Sequence, residues 1–219
     1  GELLRRQGLA RARIGLDLDF WPASDLALLK QQLPGPRWQD ASATIARIKA
    51  VKSAREIALL QQAAMLAEAG MHQALASVRP GSHRDEIAQA WKDGVQAEVR
   101  RSGIALSGQW EYTTVGPLPW QGGGRMVPGD VLKFDVGCLV QGYSSDSGRT
   151  YVLGPARPRT RQVMDALEEA FAAGLQMLRP GRLLSEVHAA ATVALQRRGW
   201  VGVSRGHFGH SLGHDTFCE

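Results

Sequence analysis

One short pattern occurs twice in this chain, about one hundred residues apart. Arg79-Pro-Gly81 ends a long helical run, and Glu86-Ile87 follows inside the next one; Arg179-Pro-Gly181 ends another, with Glu186-Val187 at the same offset. Each copy reads as a helix, a sharp stop at Pro-Gly, and then an amphipathic helix, Asp85 to Val99 in the first and Ser185 to Arg197 in the second. Two copies of one supersecondary unit predict a domain with a pseudo-twofold internal repeat. Pro-Gly is also common punctuation after any helix, so the repeat needs support from the rest of the chain.

That support comes from the order of the remaining segments. Arg13-Ile-Gly-Leu-Asp-Leu-Asp19 is β-like, and a helical stretch from Ser24 to Gln32 stops at Pro34-Gly-Pro36, as at the end of a small α/β domain. From Ala41 the pattern turns helical. Ser53-Ala-Arg-Glu56 has the form of a capping box at the head of a helix reaching Val78, with Ile57, Leu60, Met65, Leu66, Met71, Leu75 and Val78 as its expected apolar face. Helical spacing accounts for those methionines as core packing. Between the helical units the chain reads as β: Trp110-Glu-Tyr-Thr-Thr-Val115 alternates, Pro128-Gly-Asp130 turns, Val131-Leu-Lys-Phe-Asp135 begins a strand, and Leu139 to Tyr143 reverses into Ser144 to Leu153.

Composition closes off several function classes. With 219 residues, 44% of them apolar, the chain can bury one large domain, or one domain and part of another. No run approaches the roughly 20 apolar residues of a membrane span, and no signal-peptide core follows Gly1-Glu-Leu-Leu-Arg-Arg6. The chain starts without Met and stops just after a Gly/His-rich loop, so truncation at both ends is expected. Cys138 and Cys218 have no CxxC spacing, which suits a reducing cytoplasm. The net charge of +5 is scattered among acids, without the aromatic-interleaved basic stripe of a nucleic-acid binder.

Asp135 and Asp146 lie on opposite arms of the expected hairpin. Any two-residue loop around 140–142 pairs odd with even positions, which puts both carboxylates on one face. Directly opposed, they would stand about 5 Å apart and repel by roughly 3 kcal/mol at an effective dielectric near 20. A shared proton, the nearby Arg149, or an oxygen-ligated divalent cation would offset this; acids that merely cap turns or bridge to Arg149 are the plainer alternative. A later loop, Gly206-His-Phe-Gly-His-Ser-Leu-Gly-His214, adds three histidines within eight residues, and its glycines allow close approach of the backbone. His207, His210 and His214 together invite metal ligation. His72, His83 and His188 fall in helical segments and carry no such signal.

These residues resemble a known family. Asp135-Val-Gly137, Gly142-Tyr143, Asp146, Arg149-Thr150 and Gly209-His210-Ser-Leu-Gly213 are similar to the M24 metallopeptidases, the family of methionine aminopeptidases, Xaa-Pro aminopeptidases and prolidases. Ile48-Lys-Ala-Val-Lys-Ser-Ala-Arg-Glu-Ile57 is similar to the linker and first helix of the proline-directed branch. The resemblance implies an α+β pita-bread fold over residues 41–219, incomplete at its end, preceded in residues 1–40 by the last part of a creatinase-like N-terminal domain. It implies two divalent ions (Mn, Co or Zn), with Asp135, Asp146 and His210 as ligands and two glutamates beyond this chain, since Glu219 stands too near His210 to match either. The implied activity is removal of an N-terminal residue from short peptides, next to proline, by a homodimer.

The chain departs from the family in its histidines. One is expected roughly seventeen or eighteen residues before the first aspartate, where Pro117 and Leu118 stand, and another seven after the ligand, where Phe217 stands. His207 and His214 are the residues that could take over substrate contact, while the catalytic acid–base group is not assignable. A pita-bread domain that has lost catalysis and binds peptides or proteins is the alternative.

Overall fold

In the computed structural model, which describes residues 2–19, 21–116, 124–203 and 207–214, the chain forms two compact units, residues 1–53 and Ala54–Phe217. The first contains α1 (Glu2–Arg6), β1 (Arg13–Leu16), α2 (Ala23–Gln32), β2 (Arg37–Asp40) and α3 (Ser42–Ala50). β1 and β2 run parallel, from Arg13 opposite Arg37 to Leu16 opposite Asp40, and α2 is the crossover such a pair needs. Asp40 then starts α3 by accepting from the Ser42 amide and hydroxyl at 2.8 and 2.6 Å, which holds its carboxyl below the usual range.

The second unit carries α4 (Ala54–Ser77), α5 (Arg84–Ser102), β3 (Leu106–Glu111), β4 (Thr114–Val115), β5 (Val131–Val140), β6 (Tyr143–Ser144), β7 (Ser147–Val152), α6 (Pro158–Met177) and α7 (Leu184–Arg197). The two Arg-Pro-Gly turns share their glycine conformation, their inner turn bond and their glutamate cap. Gly81 and Gly181 adopt φ of 89° and 86°, open to glycine alone at little cost. The Ser82 amide donates to Arg79 O at 3.0 Å and the Arg182 amide to Arg179 O at 3.1 Å. Glu86 then accepts the His83 amide at 2.9 Å, and Glu186 the Leu183 amide at 2.8 Å, closing the exposed donors at the heads of α5 and α7. His83 is thereby a helix cap, in keeping with its lack of signal in the sequence.

The face that α4 buries differs from the one expected. Leu59, Ala63, Leu66, Ala67, Gly70, Met71 and Ala74 are buried, while Ile57 and Met65 are 46% and 42% exposed. The stripe follows small residues because α5 approaches closely there: a Cβ on Gly70 would lie 2.7 Å from Val95 and 2.8 Å from the Trp91 indole, and the Trp91 Nε1 donates to Ala67 O at 3.1 Å. α6 and α7 pair in the same manner around Ala166, Ala170, Ala191, Ala194 and Leu195. Leu167, Phe171 and Leu175 form an exposed stripe on α6. No described helix is long and apolar enough to cross a membrane.

β5 is the centre of the sheet, antiparallel to all four other strands of this unit. Its even-numbered residues Leu132, Phe134, Val136, Cys138 and Val140 join Leu66, Met71 and Trp91 in the core, leaving the odd-numbered residues for the other face. The strand expected over 110–115 is interrupted at Tyr112-Thr113. Glu111 accepts the Thr113 amide at 2.9 Å and Arg84 donates to Thr113 O at 2.8 Å, so side chains take up the backbone groups of Thr113 while the Tyr112 amide still donates to Asp135 O at 2.7 Å. Cys138 is fully buried, and burial pushes its thiol up to about 12. Iodoacetamide at pH 8 should therefore leave Cys138 unmodified in the native protein and alkylate it in denaturant, as peptide mapping would show; native labelling at the rate of a free thiol would place Cys138 outside this core.

Candidate metal centre

The hairpin between β5 and β6 turns on Gln141 and Gly142, whose φ angles of 51° and 84° are both positive. Two such residues between Val140 and Tyr143 make the turn whose twist matches that of paired strands. The register set by this turn continues through β7, with Val136 opposite Ser147 and Asp135 opposite Gly148. Asp146 consequently falls opposite Gly137, and Asp135 is the next residue on that face. The two carboxylates are diagonal neighbours rather than directly opposed, with backbones about 7–8 Å apart. Their repulsion drops to roughly 2 kcal/mol at an effective dielectric near 20.

A local distortion lifts Asp146 out of the ladder. The Ser145 amide donates to Cys138 O at 3.0 Å, but the Cys138 amide donates to the Ser145 hydroxyl at 3.1 Å instead of its carbonyl. That carbonyl turns onto Gly137, where a Cβ would strike both it and the indole of Trp110. Trp110 is held there by its Nε1, which donates to the Ser144 hydroxyl at 3.2 Å. Gly137 is thus required by close approach from both sides. Arg149, the cation that could have offset the paired acids, instead takes Glu68 of α4 as its ion-pair partner at 3.5 Å.

The Gly/His-rich loop reaches this distortion through His210. Its Nε2 lies 3.0 Å from Asp146 Oδ2 and its Nδ1 3.0 Å from Ser211 O, with the two side chains 16% and 23% exposed. Both ring nitrogens therefore face acceptors. An imidazole with one proton satisfies only one of them, so the set is completed either by a second proton or by a cation that takes the Nε2 lone pair. Carboxylate oxygen beside imidazole nitrogen, with Asp135 on the same sheet face, is a donor set that suits Mn, Co or Zn. Among the described residues no group of three or more His, Cys, Asp and Glu side chains is placed to hold a metal ion, so of the three expected ligands Asp146 and His210 meet and Asp135 does not join them.

The other loop histidines are placed differently. The His207 ring packs edge-on against His210 with centroids 5.7 Å apart, whereas His214 stands at the hairpin end, edge-on to Tyr143 at 5.5 Å. His188 of α7 supports the loop by packing on Phe208 at 4.7 Å, a contact its helical position did not announce. Pro117, Leu118 and Phe217, which stand where the resemblance expects histidines, lie outside the described residues.

A model of metallopeptidase family M24 matches residues 58–219. The Xaa-Pro dipeptidase of Pyrococcus horikoshii is 24% identical over 199 residues, 87% of this chain and 54% of its own length. The agropine synthesis cyclase of Rhizobium rhizogenes is 26% identical over 223 residues, 93% of this chain and 56% of its own. Among solved structures, the Xaa-Pro dipeptidase from Bacillus anthracis superposes with a TM-score of 0.84 at 19% identity, covering 99% of this chain and 61% of that one. At that identity the likeness shows the fold. The chain spans a little over half the length of the curated relatives it matches.

Proposed function

The chain belongs to metallopeptidase family M24 and has its pita-bread fold, and we propose that it acts as a metal-dependent exopeptidase, removing an N-terminal residue from short peptides at Xaa-Pro bonds. One observation carries this reading: His210 Nε2 and Asp146 Oδ2 meet at 3.0 Å while the carbonyl of Ser211 engages the other ring nitrogen. Asp135, Asp146 and His210 are the residues we assign to two divalent ions of the Mn, Co or Zn type. Such ions, when bound, lower the pKa of a water toward about 7 and polarise a carbonyl.

This chain's own residues do the positioning. In the tautomer whose Nδ1 donates to Ser211 O, His210 offers its Nε2 lone pair to a cation shared with the Asp146 carboxylate, and the Ser211 contact orients the ring for it. The break in the strand at Ser145-Asp146 gives Asp146 its reach toward the loop. His207, beside His210, is our first candidate for contact with the peptide, and His214 at the hairpin end is the second. The M24 relationship and the name of the Pyrococcus horikoshii relative support the Xaa-Pro assignment. Residues 1–40 are proposed as the end of an N-terminal domain, the protein as a homodimer, and its compartment as the cytoplasm on the strength of its cysteine usage.

The test is metal dependence. Purified protein stripped by a chelator and reloaded with Mn, Co or Zn should regain bound metal by elemental analysis. It should also release the N-terminal residue of a Xaa-Pro peptide at least about a hundredfold faster than the stripped form. Protein that retains none of the three metals and releases nothing would leave the binding-domain alternative in its place.

A further inference from the structure

Among the described residues, the loop that carries His210 meets the hairpin at the Asp146 carboxylate and again at the hairpin end. Four residues beyond His210, the loop is fastened to the hairpin end. Gly213 O accepts the Ser144 amide at 3.1 Å, and the His214 ring stands edge-on to Tyr143 with centroids 5.5 Å apart at 88°. The same ring lies over Gly142, where a Cβ would come within 2.9 Å of its Nε2. Tyr143 is fixed in turn: its hydroxyl donates to Glu56 Oε1 at 3.0 Å, in the first turn of α4. Arg55 reaches the neighbouring Gln141 Oε1 at 3.4 Å, tying the turn to the same helix end. α4 is anchored in the core by Leu59, Ala63 and Leu66.

We propose that Tyr143 and Glu56 are positioning residues, which lock the His210 loop to the hairpin end and so set His210 against Asp146. The physical reason is entropy. A glycine-rich loop samples many conformations, and a ligand on it binds a cation well only after the loop has been ordered. Fastening the loop at 213–214 orders it beforehand. The hydrogen bond from Tyr143 to Glu56 fixes the aromatic platform by giving its hydroxyl one well-placed acceptor, which an amide oxygen at the same place would also supply. Neither residue is among those assigned to the cation or the peptide. The proposal rests on the reading that Asp146 and His210 hold a metal ion.

The experiment titrates Co2+ into the metal-free purified protein and its Glu56→Ala, Glu56→Gln and Tyr143→Phe variants, following calorimetric affinity and the visible absorption of bound Co2+. Glu56→Ala and Tyr143→Phe should weaken Co2+ binding by about 3- to 10-fold, less than the roughly 10- to 100-fold lost with a group bonded directly to a ligand, because both act through His214 and the loop. Glu56→Gln keeps an acceptor for the tyrosine hydroxyl and should stay close to the parent. All three keep the ring and the core, so each should fold, with a metal-free melting temperature lowered by only a few degrees. Binding by Glu56→Ala equal to the parent overturns the proposal, and so does a loss in Glu56→Gln as large as in Glu56→Ala. Should the parent itself bind no Co2+, the metal reading falls, and the lock is judged by the imidazole NMR signals of His210 in metal-free protein. Those signals must shift or broaden in Glu56→Ala and not in Glu56→Gln; unchanged signals in Glu56→Ala refute the lock.

Discussion

Replacing Asp146 with alanine should strip the protein of divalent metal and end release of the N-terminal residue from a Xaa-Pro peptide. Losing a residue one step removed from a ligand already costs about 10- to 100-fold in metal affinity, so losing a ligand should exceed a hundredfold. His210 would keep its Ser211 contact but lose the carboxylate that faces its Nε2. The fold should survive, because the Asp146 side chain is 23% exposed and takes no part in the hydrophobic core. Asp146→Asn sharpens the result: it preserves shape and a hydrogen-bonding oxygen while removing the charge, so a metal ligand should fail in both variants and a merely structural partner of His210 should survive in the amide. Elemental analysis, peptide turnover and a melting curve on each variant decide it. Turnover equal to the parent's in Asp146→Ala would refute the assigned site.

What could be read in the sequence is what depends on near neighbours. The helix ends follow from Pro-Gly and from glutamates three residues inside, so both Arg-Pro-Gly turns are legible in the order of residues alone. The shared face of Asp135 and Asp146 follows from a period of two and a two-residue loop. Their diagonal offset does not, because it depends on Gln141 and Gly142, and no other pair, being the loop. The buried face of α4 is hidden because glycine and alanine carry no hydrophobic signal of their own, yet only they let α5 come close. The break at Tyr112-Thr113 is hidden because Arg84, 29 residues earlier, captures the Thr113 carbonyl. The density of histidines marks the loop without saying which one meets a carboxylate 64 residues away. Nothing local connects Tyr143 with Glu56, 87 residues apart, which is why that contact emerges only in three dimensions.

Gly137→Ala should be the most damaging single methyl in the sheet. Its Cβ would run into the Ser145 carbonyl and the Trp110 indole, and neither can step aside without breaking a bond. The carbonyl belongs to a residue whose amide and hydroxyl are both engaged with Cys138, and the indole is tied to the Ser144 hydroxyl. Overpacking at a site this constrained falls at the upper end of its usual range, about 3 kcal/mol. For a chain of this size that is a fall in melting temperature of roughly 6–12 °C. The distortion that aims Asp146 would be disturbed together with stability, so metal binding should weaken in the surviving folded protein as well. Trp110→Leu separates the two obstacles: if the indole is one of them, Gly137→Ala should cost less in the Trp110→Leu background, by about 1 kcal/mol of coupling. A Gly137→Ala protein that melts with the parent would mean that Ser145 and Trp110 do not press on this position, and the strand distortion would no longer account for the reach of Asp146.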